Sequence, residues 1–121
     1  VLTGAGEKAF VAGADIAEFP RLRADSAQGH VYGDMIHSTM TAIGECMHPT
    51  IAMIHGVCVG GGLEVALMCD LRICGESSRF GIPINRLGLT MGYGELDGLL
   101  SIVGPAVALE ILLEGRIFGA T

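Results

Sequence analysis

The period of the hydrophobic pattern changes along the first half of the chain and divides it into two elements. Residues 24–47 place apolar side chains at helical spacing, which predicts one long helix capped at its start by Asp25 or Ser26. Residues 50–60 alternate and are rich in β-branched side chains. That alternation predicts a strand that ends in a tight turn.

The second half of the chain predicts shorter elements in close succession. They are a helix from Gly61 or Gly62 to Asp70, strands at 71–77 and 79–82, one turn at 84–88, and helices at 94–104 and 105–115. Pro105 and Gly115 stand where a first-turn proline and a C-terminal glycine belong in the last helix. The alternation of strands and helices predicts an α/β domain built in layers.

The first twenty residues carry a weaker pattern. Residues 1–3 predict a short buried strand. Residues 4–15 predict a loop, because they are mostly small, contain three glycines and keep no sustained period. Asp15 is expected to cap one turn that Pro20 then stops.

A glycine pattern in that loop matches the dinucleotide-binding fingerprint, with Gly4, Gly6 and Ala9 at the required spacing. The fingerprint needs a helix that begins in the glycines and runs on, but Gly13 interrupts this stretch. A dinucleotide-dependent oxidoreductase therefore stays open as an alternative that requires a helix over residues 6–14.

Composition narrows the classes of function. The chain has 121 residues, of which 50% are hydrophobic and 17% are charged, and this suits one compact domain. Its net charge is -6 and no stripe of Lys or Arg occurs, so we expect no nucleic-acid partner. No apolar run reaches the roughly 18 residues of a membrane span, so no membrane partner is expected either.

The cysteines and histidines indicate neither disulfides nor a metal site. The histidines lack ligand spacing, and the cysteines show no CxxC pairing. We interpret all four cysteines as reduced core thiols of a cytoplasmic protein: Cys46, Cys58, Cys69 and Cys74. Val1 and Thr121 both lie within stretches whose secondary-structure pattern is incomplete. Residues 1–121 are therefore interpreted as one domain truncated at both ends.

Three consecutive glycines lead from the predicted strand directly into the helix that carries Glu64. A helix N-terminus presents unpaired N–H groups at the positive end of its dipole, and glycine lets a substrate oxygen approach them. A carboxylate in the first turn is then placed to move protons beside a bound carbonyl. The alternative is that the glycines only allow tight packing and that Glu64 points to water.

Residues 8–16 offer a second set of reachable N–H groups, because Ala12, Gly13 and Ala14 are too small to shield their backbone. Two N–H donors that converge on one oxygen are the minimum for an oxyanion hole, in which a carbonyl becomes an enolate. Together with the glycine triplet, this loop favours chemistry on an acyl compound. A surface loop without function is the alternative.

Three stretches together resemble the enoyl-CoA hydratase/isomerase (crotonase) family. They are EKAFVAGADIAEF, PTIAMIHGVCVGGGLEVALMCD and FG-x-P-x-x-x-LGL at 80–89, and they occur in the family's order and spacing over nearly the whole chain. The resemblance implies a partial ββα-spiral core of the crotonase type. It also implies a coenzyme A thioester as substrate and no separate cofactor.

Matched by position, the resemblance assigns the oxyanion hole to the N–H groups of Ala14 and Gly61. It places Ala12, Asp15 and Ile16 where family members contact the adenine end of coenzyme A.

Glu64 matches the first catalytic glutamate of the hydratases, but the second glutamate is missing. Hydratases place it directly after the proline of FG-x-P, where this chain has Ile84. An isoleucine neither activates water nor protonates carbon. Glu95 is the candidate replacement acid, and a solvated helix-start carboxylate is the alternative.

The resemblance thus implies an enzyme that processes an acyl-CoA through a stabilised enolate, with hydration of a 2-enoyl-CoA as the default reaction. With one matched carboxylate, Δ3-to-Δ2 double-bond isomerisation also fits, as do other lyase or hydrolase reactions of the family. A non-catalytic scaffold that binds coenzyme A is the alternative from another class. Family members pack as trimers and dimers of trimers, so one of these assemblies is expected.

Overall fold

The computed structural model describes all 121 residues and places them in two small sheets with four α-helices. The helices are α1 (Phe19–Leu22), α2 (Ser26–Gly44), α3 (Gly61–Met68) and α4 (Tyr93–Glu114). The strands are β1 (Ala9–Val11), β2 (Ile51–Ile54), β3 (Val57–Val59), β4 (Leu71–Cys74), β5 (Arg79–Gly81) and β6 (Phe118–Gly119). Two 3-10 turns cover Ile16–Glu18 and Pro83–Leu87. The predicted α/β class is confirmed.

Parallel pairing dominates both sheets. In the first sheet β1, β3 and β5 run parallel, and β6 pairs antiparallel with β5 at the edge. In the second sheet β2 pairs in parallel with β4, and Leu2 adds one bridge to Ala52. Because parallel neighbours need crossover connections, α2 lies between β1 and β3 in the chain, and α3 lies between β3 and β5.

The hydrophobic core joins both sheets to α3 and α4. The strand β2 points Ala52 and Ile54 inward and leaves Met53 exposed, which is the alternation expected of a half-buried strand. Burying a leucine or isoleucine side chain contributes about 1.5–3 kcal/mol to folding. Twelve buried residues form the core: Phe10, Ala52, Ile54, Cys58, Leu63, Ala66, Leu67, Cys69, Ile82, Leu99, Ala108 and Ile111.

The first turn of α3 packs directly on the backbone of β1. A Cβ atom at Gly62 would overlap the carbonyl oxygen of Val11 and lie 2.8 Å from its carbonyl carbon. Only a glycine fits this approach. The glycine triplet therefore has a packing role, and this packing brings the helix N-terminus next to the segment that follows β1.

The helix boundaries agree with the local sequence signals in most places. Asp25 caps α2 by accepting a hydrogen bond from the N–H of Gln28 at 2.8 Å, as predicted. The two helices predicted at 94–104 and 105–115 form one long element, α4, which is interrupted at Gly104 (φ 74, ψ 168). The helix ends at Gly115, whose φ is 57.

The predictions for the first twenty residues are partly wrong. Residues 9–11 form a strand instead of a loop, because they pair with β3, and a pattern of three residues is too short to reveal such a partner. Asp15 does cap the turn Ile16–Glu18. Pro20, however, lies in the first turn of α1 and does not end the helical structure there. A proline fits that position because the N–H it lacks would have no partner inside the helix.

The strand at residues 9–11 also removes the dinucleotide alternative. That fingerprint requires a helix over residues 6–14, and the chain is extended through the middle of this stretch. The dinucleotide-binding interpretation is therefore wrong.

The cysteines correct one further expectation, and the longest helix bears on another. All four cysteines are free, but only Cys58 and Cys69 are buried, while Cys46 and Cys74 are exposed and do not belong to the core. By length and composition alone, α4 could cross a membrane, although it contains charged residues and its helical geometry is interrupted at Gly104. One such helix is weak evidence, because a core helix passes the same test.

We predict that Gly62→Ala lowers the free energy of unfolding by about 2 kcal/mol or more, because the new methyl group forces α3 away from β1. Gly44→Ala is the matched control: Gly44 is also helical, and a Cβ there meets no atom within 4 Å. This control is expected to stabilise the protein by up to about 1 kcal/mol. Thermal and urea unfolding of the protein that contains residues 1–121 measure both values. Equal effects of the two substitutions would contradict the packing role.

Candidate active site

Two cavities meet beside the carboxyl ends of β1 and β3. The first has a volume of about 160 Å³ and no charged residue in its lining. The second has a volume of about 430 Å³ and contains Glu64 and Glu95 on its wall. The residues that line both cavities mark the junction between them: Gly13, Ala14, Phe19, Gly61, Ile84 and Leu89. The structure thus brings Ala14 and Gly61 together at one place.

Each of these two residues follows a glycine with a positive φ. Gly13 has φ 109 and precedes Ala14, and Gly60 has φ 54 and precedes Gly61. Side chains rarely adopt such angles, so glycine is needed at both bends. The bends also touch: a Cβ at Gly60 would lie 3.9 Å from the Cα of Gly13. The two backbone segments therefore approach each other within van der Waals range.

The N–H groups at the junction are available to a ligand. Gly61 is the first residue of α3, where an N–H has no partner inside the helix. The N–H of Ala14 takes part in none of the backbone hydrogen bonds of the loops and turns. An oxygen placed at the junction has two backbone donors close by, one of them at the positive end of the helix dipole.

Glu64 projects from the first turn of α3 into the second cavity. One of its carboxylate oxygens lies 3.7 Å from the Cβ position of Gly61, so the side chain stays close to the junction. Burial, and secondly the negative charge of Glu95, raise the pKa of Glu64 to about 7. Near neutral pH the group is therefore populated in both protonation states, as a proton-transfer residue requires.

The raised pKa also has a consequence for stability. Ionisation of Glu64 is harder in the folded chain than in the unfolded chain, where its pKa is near 4.5. Its contribution to folding is thus fully present below pH 4.5 and is lost as the pH rises through about 7.

Glu95 lines the same cavity and also caps a helix. Its carboxylate accepts a hydrogen bond from the N–H of Gly92 at 2.7 Å, at the start of α4. The structure therefore supports the alternative of a helix-start carboxylate. It also places the group on the cavity wall, where its charge acts on Glu64.

The three residues matched to the coenzyme A contacts differ in position. Ala12 and Ile16 line the first cavity. Asp15 lines neither cavity, and its carboxylate accepts a hydrogen bond from the N–H of Ala17 at 3.0 Å. Its observed contact is structural, and a contact to coenzyme A stays a prediction.

Several lining residues were missed by the sequence analysis. Gly29 and Gly33 on α2 border the second cavity, and so do Arg23 and Tyr32. The spacing of four between the two glycines on one helix face was a usable signal. Arg23 carried no local signal, because its place on the wall depends on how α1 packs against α2.

The site has no arrangement suited to a metal ion. The His, Cys, Asp and Glu side chains form no group of three or more that could bind one.

Comparison with known proteins gives a consistent family. A family model described as "Enoyl-CoA hydratase/isomerase" matches residues 1–121. The chain is 38% identical over 116 residues to a short-chain-enoyl-CoA hydratase of Clostridium acetobutylicum, covering 96% of this chain and 44% of that protein. It is 35% identical to a peroxisomal Delta(3,5)-Delta(2,4)-dienoyl-CoA isomerase of Arabidopsis thaliana, covering 100% of this chain and 47% of that protein.

The chain belongs to the enoyl-CoA hydratase/isomerase family.

Solved structures of the same family confirm the fold. A crystal structure described as an enoyl-CoA hydratase/carnithine racemase from Magnetospirillum magneticum superimposes with a TM-score of 0.94 and 49% identity. The match covers 98% of this chain and 44% of that one. The expected crotonase-type core is therefore present. It is partial, because the chain spans less than half the length of these relatives.

Within this family the most informative departure lies at the junction of the two cavities. Ile84, at the position that the resemblance assigns to the second glutamate of the hydratases, lines both cavities. It faces the site with an apolar side chain, so the carboxylate charge that acts on Glu64 comes from Glu95 on α4.

We predict that Glu95→Gln lowers the pKa of Glu64 from about 7 part of the way toward 4.5. The charge of Glu95 is the smaller of two causes of the raised pKa. The part of the pKa shift that burial causes therefore remains in the variant. The glutamine oxygen still accepts the hydrogen bond from Gly92, which preserves the helix start. The measurement is a carbon-13 NMR titration of the glutamate carboxyl groups.

Asp97→Asn is the control, since Asp97 is exposed, lies two residues away and lines neither cavity. It removes one negative charge from the same helix turn and should leave the pKa of Glu64 unchanged. If both variants shift the pKa of Glu64 equally, the effect reflects net charge and not an interaction between Glu64 and Glu95.

Proposed function

We propose that this chain forms the acyl-CoA site of an enzyme that stabilises a thioester enolate and hydrates 2-enoyl-CoA to 3-hydroxyacyl-CoA. One observation carries the proposal: Glu64, with a pKa of about 7, stands beside the junction at which Ala14 and Gly61 meet. The hydratase and isomerase names of the relatives support the same reaction class.

In the proposed complex, the thioester carbonyl oxygen accepts hydrogen bonds from the N–H groups of Ala14 and Gly61. Coenzyme A extends through the first cavity past Ala12 and Ile16, and the acyl chain occupies the second. Negative charge that develops on the oxygen is then stabilised by backbone dipoles that are already in place. No metal or redox cofactor is needed for this stabilisation.

Hydration adds the oxygen of water to C3 and a proton to C2. In the proposed mechanism Glu64 accepts a proton from water as the C3–O bond forms, and the electron pair of the double bond moves to the thioester oxygen as an enolate. Collapse of the enolate takes up a proton at C2. Glu95 is the candidate donor, because it lies on the wall of the same cavity. It donates to C2 in its protonated form, and the proton that Glu64 has taken from water restores that form, so each turnover balances.

Double-bond isomerisation is the second candidate, and Ile84 is the observation that favours it. A Δ3-to-Δ2 shift moves one proton from C2 to C4 and requires a single carboxylate that acts first as base and then as acid. Glu64 suffices for that shuttle. An apolar Ile84 at the junction offers no hydrogen bond to the water molecule that hydration needs.

We also infer a homotrimer or a dimer of trimers. Large apolar side chains are exposed on two elements, including Leu71 and Ile73 on β4 and Leu109 and Leu113 on α4. Apolar surface of this extent suits contacts with further protein. The cytoplasmic location stays a prediction.

We predict that Glu64→Gln lowers kcat by about 100-fold or more, the range expected for loss of a general acid–base group. The variant keeps the size and hydrogen-bonding atoms of the side chain but removes its proton transfer. Crotonyl-CoA hydration and 3-hexenoyl-CoA isomerisation are measured in parallel on the protein that contains residues 1–121.

Glu76→Gln is the matched control, because Glu76 is exposed in the turn after β4 and lines neither cavity. Full turnover by Glu64→Gln in both assays rules out the catalytic role. Tight binding of coenzyme A without any turnover by the wild type supports the scaffold alternative instead.

We predict that Ile84→Glu increases the ratio of hydration to isomerisation by about tenfold or more, because it supplies a second carboxylate at the junction. Leu87→Glu is the control: Leu87 lines only the first cavity and is half exposed, so its carboxylate does not face Glu64. Rates of the two reactions are compared by ultraviolet absorbance and product chromatography. An unchanged or lower ratio would show that Ile84 does not determine the reaction.

A further inference from the structure

The second cavity contains one positively charged side chain. Its charged lining residues are Glu64 and Glu95, which the proposed reaction uses, and Arg23, which it does not use. Arg23 lies just after α1 and is exposed on the wall of this cavity.

Aromatic rings hold the Arg23 guanidinium at this wall. Its central carbon lies 4.9 Å from the ring centroid of Phe19 and 5.5 Å from that of Tyr32. The two rings pack edge to face with centroids 6.1 Å apart, and both line the second cavity. Stacking on rings fixes the plane of a guanidinium while leaving its N–H groups free to bind.

The guanidinium of Arg23 has no protein partner. It forms no ion pair, whereas the neighbouring Arg21 pairs with Glu18 at 3.0 Å. It also donates no side-chain hydrogen bond, whereas Arg72 and Arg79 donate to backbone carbonyl groups. An oriented arginine with unused donors on a cavity wall is suited to bind an anion.

The path from the junction to this arginine is open. Gly29 and Gly33 lie on one face of α2 and border the second cavity, and a Cβ at either position would meet no atom within 4 Å. Arg23 does not line the first cavity, through which coenzyme A is proposed to extend. The anion that reaches Arg23 therefore belongs to the acyl side of the thioester.

We infer that the acyl group carries a carboxylate at its far end and that Arg23 binds this carboxylate. The inference rests on the proposed function and narrows its substrate class to thioesters of dicarboxylic acids. A carboxylate matches the planar fork of a guanidinium, which can bind both of its oxygens.

The test compares two substrates that differ only at the end of the acyl chain, 2-hexenoyl-CoA and 2-hexenedioyl-CoA. The wild-type protein that contains residues 1–121 is expected to have the higher kcat/KM for 2-hexenedioyl-CoA. In Arg23→Gln the ratio of the two kcat/KM values should fall by up to about fivefold, the modest size expected for an exposed charge pair. Arg23→Lys should keep part of the preference, since it keeps the charge but loses the fork.

Arg21→Gln is the matched control, because it removes an arginine two residues away that lines neither cavity. It should leave the ratio unchanged. A wild-type preference for 2-hexenoyl-CoA, or an unchanged ratio in Arg23→Gln, overturns the inference. An equal loss of kcat/KM for both substrates, together with weaker binding of free coenzyme A, also overturns it. Arg23 would then bind a phosphate of coenzyme A.

Calorimetry with the saturated analogues adipoyl-CoA and hexanoyl-CoA separates this inference from the proposed function. A preference for adipoyl-CoA that Arg23→Gln abolishes, without turnover of either unsaturated substrate, supports the anion site while the proposed reaction fails. Turnover of both unsaturated substrates without any preference supports the reaction and overturns the role of Arg23.

Discussion

The close approach of α3 to β1 is the contact on which the site depends. Gly62 packs against the carbonyl group of Val11 with no room for a Cβ atom. This packing sets the start of α3 beside the segment that follows β1, so Gly61 and Ala14 share the junction of two cavities. A wider separation would leave each N–H group alone, and a single donor stabilises a developing oxyanion less than a pair does.

The same packing determines the behaviour of Glu64. A carboxylate in the first turn of a helix is normally stabilised in its charged form by the dipole. Here burial and the charge of Glu95 outweigh that effect and raise the pKa to about 7. The chain thus keeps a group that opposes folding at neutral pH, which is a common property of functional sites. Ile84 adds an apolar surface in place of a further charge.

The sequence predicted the local parts of this arrangement well. The glycine triplet, the helix it opens, the cap at Asp25 and the stop at Gly115 all depend on near neighbours in the chain. The strand β1 was missed because its pairing with β3 spans almost fifty residues. Arg23 was missed for the same reason, since its position follows from the packing of Phe19 on Tyr32 and not from its own neighbours.

The sequence by itself determined the fold class, the family and the identity of the polar groups, because these follow from short-range patterns and from motif spacing. Only the tertiary structure decided which groups face one another. It placed Glu95 in the same cavity as Glu64, set Asp15 outside both cavities and added Arg23 to the wall of the second cavity. Such distances arise when elements remote in the chain bury their apolar faces together, and no local pattern specifies them.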